Sequence, residues 1–522
     1  MPPYTSAQKA QRAQANQPRQ YQRSSVQPSA YQQAIIDWLI GSTGNAIVEA
    51  KAGSGKTSTL CMLSECIPNN GQTRAAFLAF NRSIADELKS RLPNHVLAAT
   101  WHSVTVAALR RMPEFAAHAT RRDWVNKNKV HMILDSIQGA YMDAEQYRKG
   151  VVQLVGLLKA NNMAPNFQES EAIDLVSKYD IEFDSEAADG GVEQGIKMAR
   201  HALTINNAQF DMIDFDDMLY LAAQMGAPLQ KYSHVFLDEA QDTNKVQRVL
   251  LAMMTTPTSR IIAVGDQYQA IYGFRGADSD AMNNIRDEFD CVTFPLSISY
   301  RCPRKVIQWA QRIVPDIEAR EGAPEGTVKS LPNMMLADFT ALDLVLCRNT
   351  APLITLAFRF LRAHKPVKVM GRDIGEQLVS LIQKMRASDL EQLADKLDEY
   401  TNREVEKAIS KRQEQKAERL TDQRDSIMAI IEGLPEDDRS VYAVIGIIRD
   451  LFTDNGGKAT TLSTIHKAKG CEAHTVYILD GHLLPSKWAK QPWQQVQEKN
   501  LQYVAITRSL DSLYCITSEG IQ

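Results

Sequence analysis

The chain has 522 residues, 59 Lys+Arg against 62 Asp+Glu, a formal net charge of −3, 44% hydrophobic and 23% charged residues. These are the proportions of a water-soluble globular protein too long for one core, about three or four domains by length. No apolar run approaches the roughly 20 residues of a bilayer span, no apolar leader directs the chain out of the cytoplasm, and seven cysteines without a CxxC pair argue against a disulfide frame or zinc site.

Residues 1–27, rich in Gln, Ser, Arg and Pro, read as a disordered, mildly basic tail, with a nucleic-acid or protein contact as the alternative. Order is expected from PSAYQQAIIDWLI, where apolar residues recur at helical spacing. NAIVEA is then a short buried strand, followed by a Gly-rich loop and the helical STLCMLSECI. RAAFLAF (74–80) is a second strand and SIADELKSRL a second helix, while 105–205 carry helical periodicity and few strand signals. Strands return with HVFLDEA and RIIAVGD. A second α/β set is expected from CVTFPL, ALDLVLCR and PVKVMG, and resumes with TTLSTI, TVYILD and SLYCIT. Between its parts, 386–427 is dense in mixed charge and free of Gly and Pro, which reads as a solvated helical arm with i,i+4 ion pairs. A partner-binding helix is the alternative there.

The loop reads AKAGSGKT, close to the GxxxxGK[ST] phosphate loop, with Ala50 at the first glycine position. Gly53 and Gly55 let backbone N–H groups approach phosphates, Lys56 would meet the β/γ oxygens, and the Thr57 hydroxyl would ligate Mg²⁺. Ser54 and Ser58 flank them in the same nucleotide-binding stretch, and the following helix presents its positive end. HVFLDEAQDT adds two carboxylates at a strand end: Asp238 for the metal shell and Glu239 to orient and deprotonate water. Hydrolysis also needs positive charge at the γ-phosphoryl group. Arg301 in SISYRCP and Arg508 in YVAITRS are candidates, although a surface position is the common fate of arginine.

The chain resembles a UvrD/Rep-type superfamily 1 DNA helicase. The matching stretches, in the family's order, are YQQAI, AGSGKT, AFNRSIADEL, TWHS, IDFDDML, LDEAQDTN, VGDQYQAIYGFRGAD, SYRCP, STIHKAKGCE and YVAITRS. The resemblance implies two RecA-like P-loop motor domains with parallel sheets, ATP and Mg²⁺ as cofactors, and single-stranded or tailed duplex DNA as partner. It implies a first motor domain of 28–104 and 206–280 around a helical insertion at 105–205. The second is 281–385 and 459–522, around a reduced helical insertion at 386–458. It assigns Gln32 to the adenine edge (Gln33 being the alternative), Tyr300 to the adenine face, Gln267 to γ-phosphate sensing, Glu472 to the ribose, and Arg301 and Arg508 to finger roles. Phe80, Trp101, Tyr272, Phe274 and Arg275 are implied to line a single-strand groove, and Asn81, His102, Arg348 and His466 to touch the DNA backbone. Lys467 stands where a small residue is common and would add a phosphate contact. For any one aromatic without this context, core packing is the commoner fate.

The expected activity is ATP-dependent 3′ to 5′ translocation with duplex unwinding. The alternatives are a translocase that strips proteins or powers a separate nuclease, and a nucleotide-gated DNA-binding switch. The 386–458 interval is far shorter than the accessory 2B domain of larger relatives, and no nuclease domain is expected after Arg508.

Overall fold

The computed structural model describes residues 27–522 apart from 72, 80, 122, 142–143, 180, 182, 184–190, 272–279, 411–413, 435–438 and 454–457. Two six-stranded sheets organise the chain, and every strand pairing in them is parallel. The first holds β1 (Asn45–Ala50), β2 (Ala75–Ala79), β3 (Val96–Thr100), β4 (His234–Leu237), β5 (Arg260–Gly265) and β6 (Cys291–Leu296), in the order β3-β2-β4-β5-β1-β6. A two-stranded pair, β7 (Ile298–Ser299) with β8 (Glu318–Ala319), follows. The second large sheet runs β11-β12-β10-β13-β14-β9, built from β9 (Thr327–Ser330), β10 (Leu344–Cys347), β11 (Val367–Val369), β12 (Thr460–Thr464), β13 (Ala473–Leu479) and β14 (Ser509–Ile516). Helices cover both faces, and the inner strands β2 and β10 are apolar and buried at every position. The fold class is therefore α/β with two parallel sheets.

Within the two large sheets, three strands depart from the sequence reading. CVTFPL was expected to open the second set but pairs with β1 and closes the first sheet as β6. β3 and β9 were not anticipated. All three lie at sheet edges. An edge strand is half solvated, so its sequence carries a weak apolar signal and no mark of which sheet it joins.

Between β3 and β4 the chain forms helices Pro113–Ala116, Lys129–Ile137, Ala144–Ala160, Glu169–Lys178 and Val192–Ala208. They share one core with that side of the sheet, including Phe115, Trp124, Leu154 and Leu158. Two fully buried lysines tie them to the Phe215–Gln224 helix. Lys129 Nζ meets Asp217 at 2.9 Å, and Lys159 Nζ meets Asp214 at 2.6 Å and Asp217 at 2.9 Å. Removing Asp217 would leave the buried Lys129 without its carboxylate, at a cost of about 3–5 kcal/mol.

The 386–427 segment is not a solvated arm. It forms Leu390–Ser410 and the first part of Glu414–Gly433, a hairpin packed on the Ala351–Arg362 helix. Leu390, Leu393, Leu397, Thr401 and Ala408 recur at helical spacing and turn inward, as do Leu420, Ile427 and Ile431 on the return helix. Asp422 accepts hydrogen bonds from the N–H groups of Thr350 (2.8 Å) and Ala351 (2.9 Å), capping the helix it packs on. Dense charge hid a narrow apolar stripe. Among the described residues, no helix is long and apolar enough to cross a membrane.

Candidate functional site

β1 delivers the chain into the loop Lys51–Gly55, and the Lys56–Glu65 helix leaves it. Gly53 and Gly55 both take left-handed φ, 72° and 83°. Gly53 is also required by crowding: a Cβ there would lie 2.5 Å from Arg301 Cβ and 2.8 Å from Ser299 Oγ. Gly55 caps the helix without a side-chain bond, leaving first-turn N–H groups for an anion. Ser54 is fully buried and its Oγ has no hydrogen-bond partner among the described residues. Ser58 Oγ accepts from Arg91 at 3.4 Å. Gln32 is buried beside the loop; its Nε2 donates to Thr59 Oγ1 at 2.9 Å, and its Oε1 accepts from Ser29 N. Gln33 instead bonds the exposed Asp37.

β4 ends by placing Asp238 and Glu239 against that loop. Thr57 Oγ1 donates to Asp238 Oδ2 at 2.8 Å, joining a hydroxyl and a carboxylate of the kind a hard cation takes. Glu239 sits at φ 53° and sends its carboxylate to Lys56 Nζ, 3.0 Å away. Burial disfavours the charge on Glu239, but Lys56, Lys469 and the Gln241 amide outweigh it and hold its pKa down. Burial and that neighbouring carboxylate push Asp238 up, against Lys56 and Thr57. Burial likewise opposes the Lys56 charge, yet Glu239, Asp266 and Asp238 keep its pKa raised. Among the described residues no group of three or more His, Cys, Asp or Glu side chains could hold a metal. A magnesium ion that keeps its waters and substrate oxygens does not need one.

The opposite wall comes from the second half of the chain. Arg301 Nε pairs with Glu472 at 2.7 Å and its Nη1 reaches Thr507 O at 3.3 Å. Arg508 is 1% exposed, and among the described residues its hydrogen bonds go to Val504 O, Cys471 O and Thr507 Oγ1. Burial, then repulsion from Arg301, lowers its pKa to about 10. Tyr300 is 46% exposed, and its N–H donates to Gly53 O at 2.8 Å. Gln267 is exposed, at the turn after the fully buried Asp266.

Several contacts across this cleft were not foreseen. Tyr503 Oη accepts from the loop's Ala52 N–H at 2.8 Å, and Lys51 Nζ pairs with Asp316 at 2.8 Å. Lys469 Nζ reaches Asp242 and the Gln269 carbonyl, both at 2.7 Å. Asn500 Nδ2 donates to the carbonyls of Gln267 (3.2 Å) and Ala270 (3.0 Å). Most of these residues lie in or beside stretches already singled out. Which of them meet is information only the fold holds.

The strand-contact expectations fare unevenly. Phe80, Tyr272, Phe274 and Arg275 lie outside the described residues. Trp101 does not offer a stacking face: at the first position of the Trp101–Leu109 helix it is 4% exposed and belongs to the core. Arg348 is not free for a backbone contact either. Glu498 holds it at 2.8 Å and Glu418 of the hairpin at 3.3 Å, with all three nearly buried. Asn81 is exposed, and its side chain caps the Arg82–Arg91 helix. His466 is half-buried, and Lys467 pairs with Asp373 at 2.7 Å. His102 meets the ring of Phe215 edge-on at 6.2 Å, and Phe215 is 57% exposed. Phe215 was missed as a candidate although IDFDDML was noted; an apolar residue between acids gave no sign of facing solvent.

A model of the UvrD/REP helicase N-terminal domain matches residues 30–290, and one of the UvrD-like helicase C-terminal domain matches 376–520. The chain belongs to the UvrD/REP helicase family. Similar proteins include a probable DNA helicase II homolog of Mycoplasma pneumoniae, 26% identical over 54% of this chain and 42% of that protein. The ATP-dependent DNA helicase PcrA of Staphylococcus epidermidis is 24% identical over 52% of this chain and 38% of its own length. PcrA of Leuconostoc citreum is 23% identical over 52% and 37%. This UvrD/REP family member thus spans about two-fifths of the length of the curated relatives it matches.

Proposed function

We propose that the chain is an ATP-dependent DNA helicase that moves 3′ to 5′ on single strands and unwinds tailed duplexes. One observation carries this reading: a phosphate loop with two carboxylates packs against Arg301 from the other half of the chain, and Arg508, beside Arg301, is buried with no carboxylate bonded to it among the described residues. Such a cation needs an anion, and a nucleotide γ-phosphate supplies it. The orphaned Ser54 hydroxyl and the glycine cradle fit the same ligand. Gln32 and Tyr300 would take the base and Glu472 the ribose.

Lys56 would exchange Glu239 for the β/γ oxygens, leaving Glu239 as the carboxylate that orients water and takes its proton. Thr57 and Asp238 would hold Mg²⁺, which supplies charge neutralisation on the phosphates when bound. Arg301 and Arg508 stabilise the transferring group from the second wall, and Gln267 senses its departure. The two motor domains would be 28–104 with 206–296, and 297–385 with 459–522, around the two helical insertions. Each hydrolysis cycle alters contacts across the cleft and so moves one domain against the other along DNA. ATPase rate with and without single-stranded DNA, followed by unwinding of 3′- and 5′-tailed duplexes, tests the proposal. No DNA stimulation and no unwinding would overturn it. The docked hairpin favours one second reading, a translocase without productive unwinding, which would show stimulation without strand displacement.

Phe215 and Trp101 make opposite predictions. Phe215→Ala is expected to weaken single-strand affinity by roughly 1–3 kcal/mol with little change in melting temperature. Trp101→Ala is expected to cost about 3–5 kcal/mol of folding stability. Denaturant melts beside fluorescence-anisotropy titrations distinguish them, and unchanged affinity in folded Phe215→Ala removes that ring from the strand path.

A further inference from the structure

The phosphate loop carries a second lysine that nucleotide binding leaves unused. Lys51 opens the loop and is buried, with its Nζ 2.8 Å from Asp316 of the second half and 4.6 Å from the ring centroid of Tyr268. Tyr268 follows Gln267, and its N–H donates to Asp266 Oδ1 at 3.1 Å. Its ring meets that of the buried Tyr503 edge-on, with centroids 6.1 Å apart. Tyr503 Oη in turn accepts from the N–H of Ala52, the next loop residue, at 2.8 Å. Lys51, Ala52, Tyr268 and Tyr503 thus close one node, where the phosphate loop, the turn of Gln267 and the Pro492–Ile506 helix meet. Burial, then the charge of Asp266, raises the Tyr503 pKa well above its ordinary value, so the group stays a neutral hydroxyl.

The end of that helix anchors both candidate arginines. Tyr503 O accepts from Thr507 N at 3.1 Å and from Thr507 Oγ1 at 2.8 Å. Arg508 Nε donates to Val504 O at 2.9 Å, and Arg301 Nη1 to Thr507 O at 3.3 Å. A shift of the helix end against the loop therefore moves the anchors of both guanidinium groups. We propose that Tyr503 is a positioning residue for hydrolysis: its hydroxyl on the Ala52 N–H sets Arg508 against the phosphate loop, and Lys51, anchored by Asp316, holds the Tyr268 ring beside it. The inference rests on the reading of the cleft as an ATP site. One hydroxyl suffices because the chemistry tolerates little misplacement: about 1 Å, caused far from the reacting atoms, can cost about 10²-fold in rate. Phe at 503 would keep the ring contacts but leave the buried Ala52 N–H without that acceptor, freeing the helix end to drift. The loss falls on the transition state and not on ground-state binding, because Lys56, Thr57 and the glycine cradle are untouched.

The test is ATP hydrolysis by the 522-residue chain carrying Tyr503→Phe or Asp316→Asn, beside melting temperature and equilibrium binding of a fluorescent ATP analogue. Tyr503→Phe should lower kcat by about 10²-fold and leave nucleotide affinity at the wild-type value. Asp316 is exposed, so Asp316→Asn removes the anchor of Lys51 without entering the core; it should lower kcat at least about 10-fold at the same affinity. In an Arg508→Ala background Tyr503→Phe should cost nothing further, because it acts through that arginine, whereas a merely structural tyrosine would cost the same in both backgrounds. Wild-type kcat in either folded variant, or an undiminished loss in the Arg508→Ala background, overturns the positioning role. Should Tyr503→Phe fail to fold, Asp316→Asn decides by the same measure. A wild-type chain that hydrolyses no ATP overturns the ATP-site reading and the positioning role with it.

Discussion

Glu239→Gln is expected to turn over ATP at least about 100-fold more slowly than wild type while still binding nucleotide and DNA. The structure gives the substitution a narrow effect. Asp238 keeps its bond to Thr57, so the pair expected to hold the metal survives. The lost charge is the one facing Lys56 at 3.0 Å, and an amide there can orient water but cannot take its proton. Lys56 keeps Asp266 and Asp238 as acidic neighbours. Rapid-quench hydrolysis beside nucleotide binding decides the matter. Turnover near wild type would remove Glu239 from the mechanism.

Arg508→Ala should lose hydrolysis by about 10³-fold or more, the range of a missing arginine finger, with nucleotide binding retained through the Lys56 loop. Its burial invites the objection that the variant simply unfolds. Among the described residues Arg508 bonds two carbonyls and a hydroxyl, so its removal strands no opposite charge there and relieves its repulsion with Arg301. Arg508→Lys provides the control, keeping a cation while losing the guanidinium fork; it should fold and remain slow. Equilibrium binding of a fluorescent ATP analogue checks the binding half. Binding lost at an unchanged melting temperature would make Arg508 a binding residue and undo the two-walled cleft.

Both variants concern residues legible without coordinates. The phosphate loop, Asp238 with Glu239, and the central strands could be read because each is a local pattern. Glycines sit where φ must be positive, and β2, buried on both faces, is apolar at every position. Family resemblance added Arg301 and Arg508, which no local property distinguishes from surface arginines.

What the sequence by itself determined is therefore the chain's contiguous chemistry: two α/β halves, a phosphate-binding loop, and a pair of acids at a strand end. Tertiary structure decided everything that depends on which side of an element faces which neighbour. It sent Trp101 into the core and left Phe215 facing solvent, although both are aromatics beside motif residues. It gave Arg348 to Glu418 and Glu498, 70 and 150 residues away, and turned a charged segment into a docked hairpin. It also moved CVTFPL from one sheet to the other. The physical reason is common to all four. Local propensity and periodicity fix a residue's secondary structure, whereas its exposure and its partners are set by long-range packing, where a few kcal/mol of burial or ion pairing outweigh any local preference.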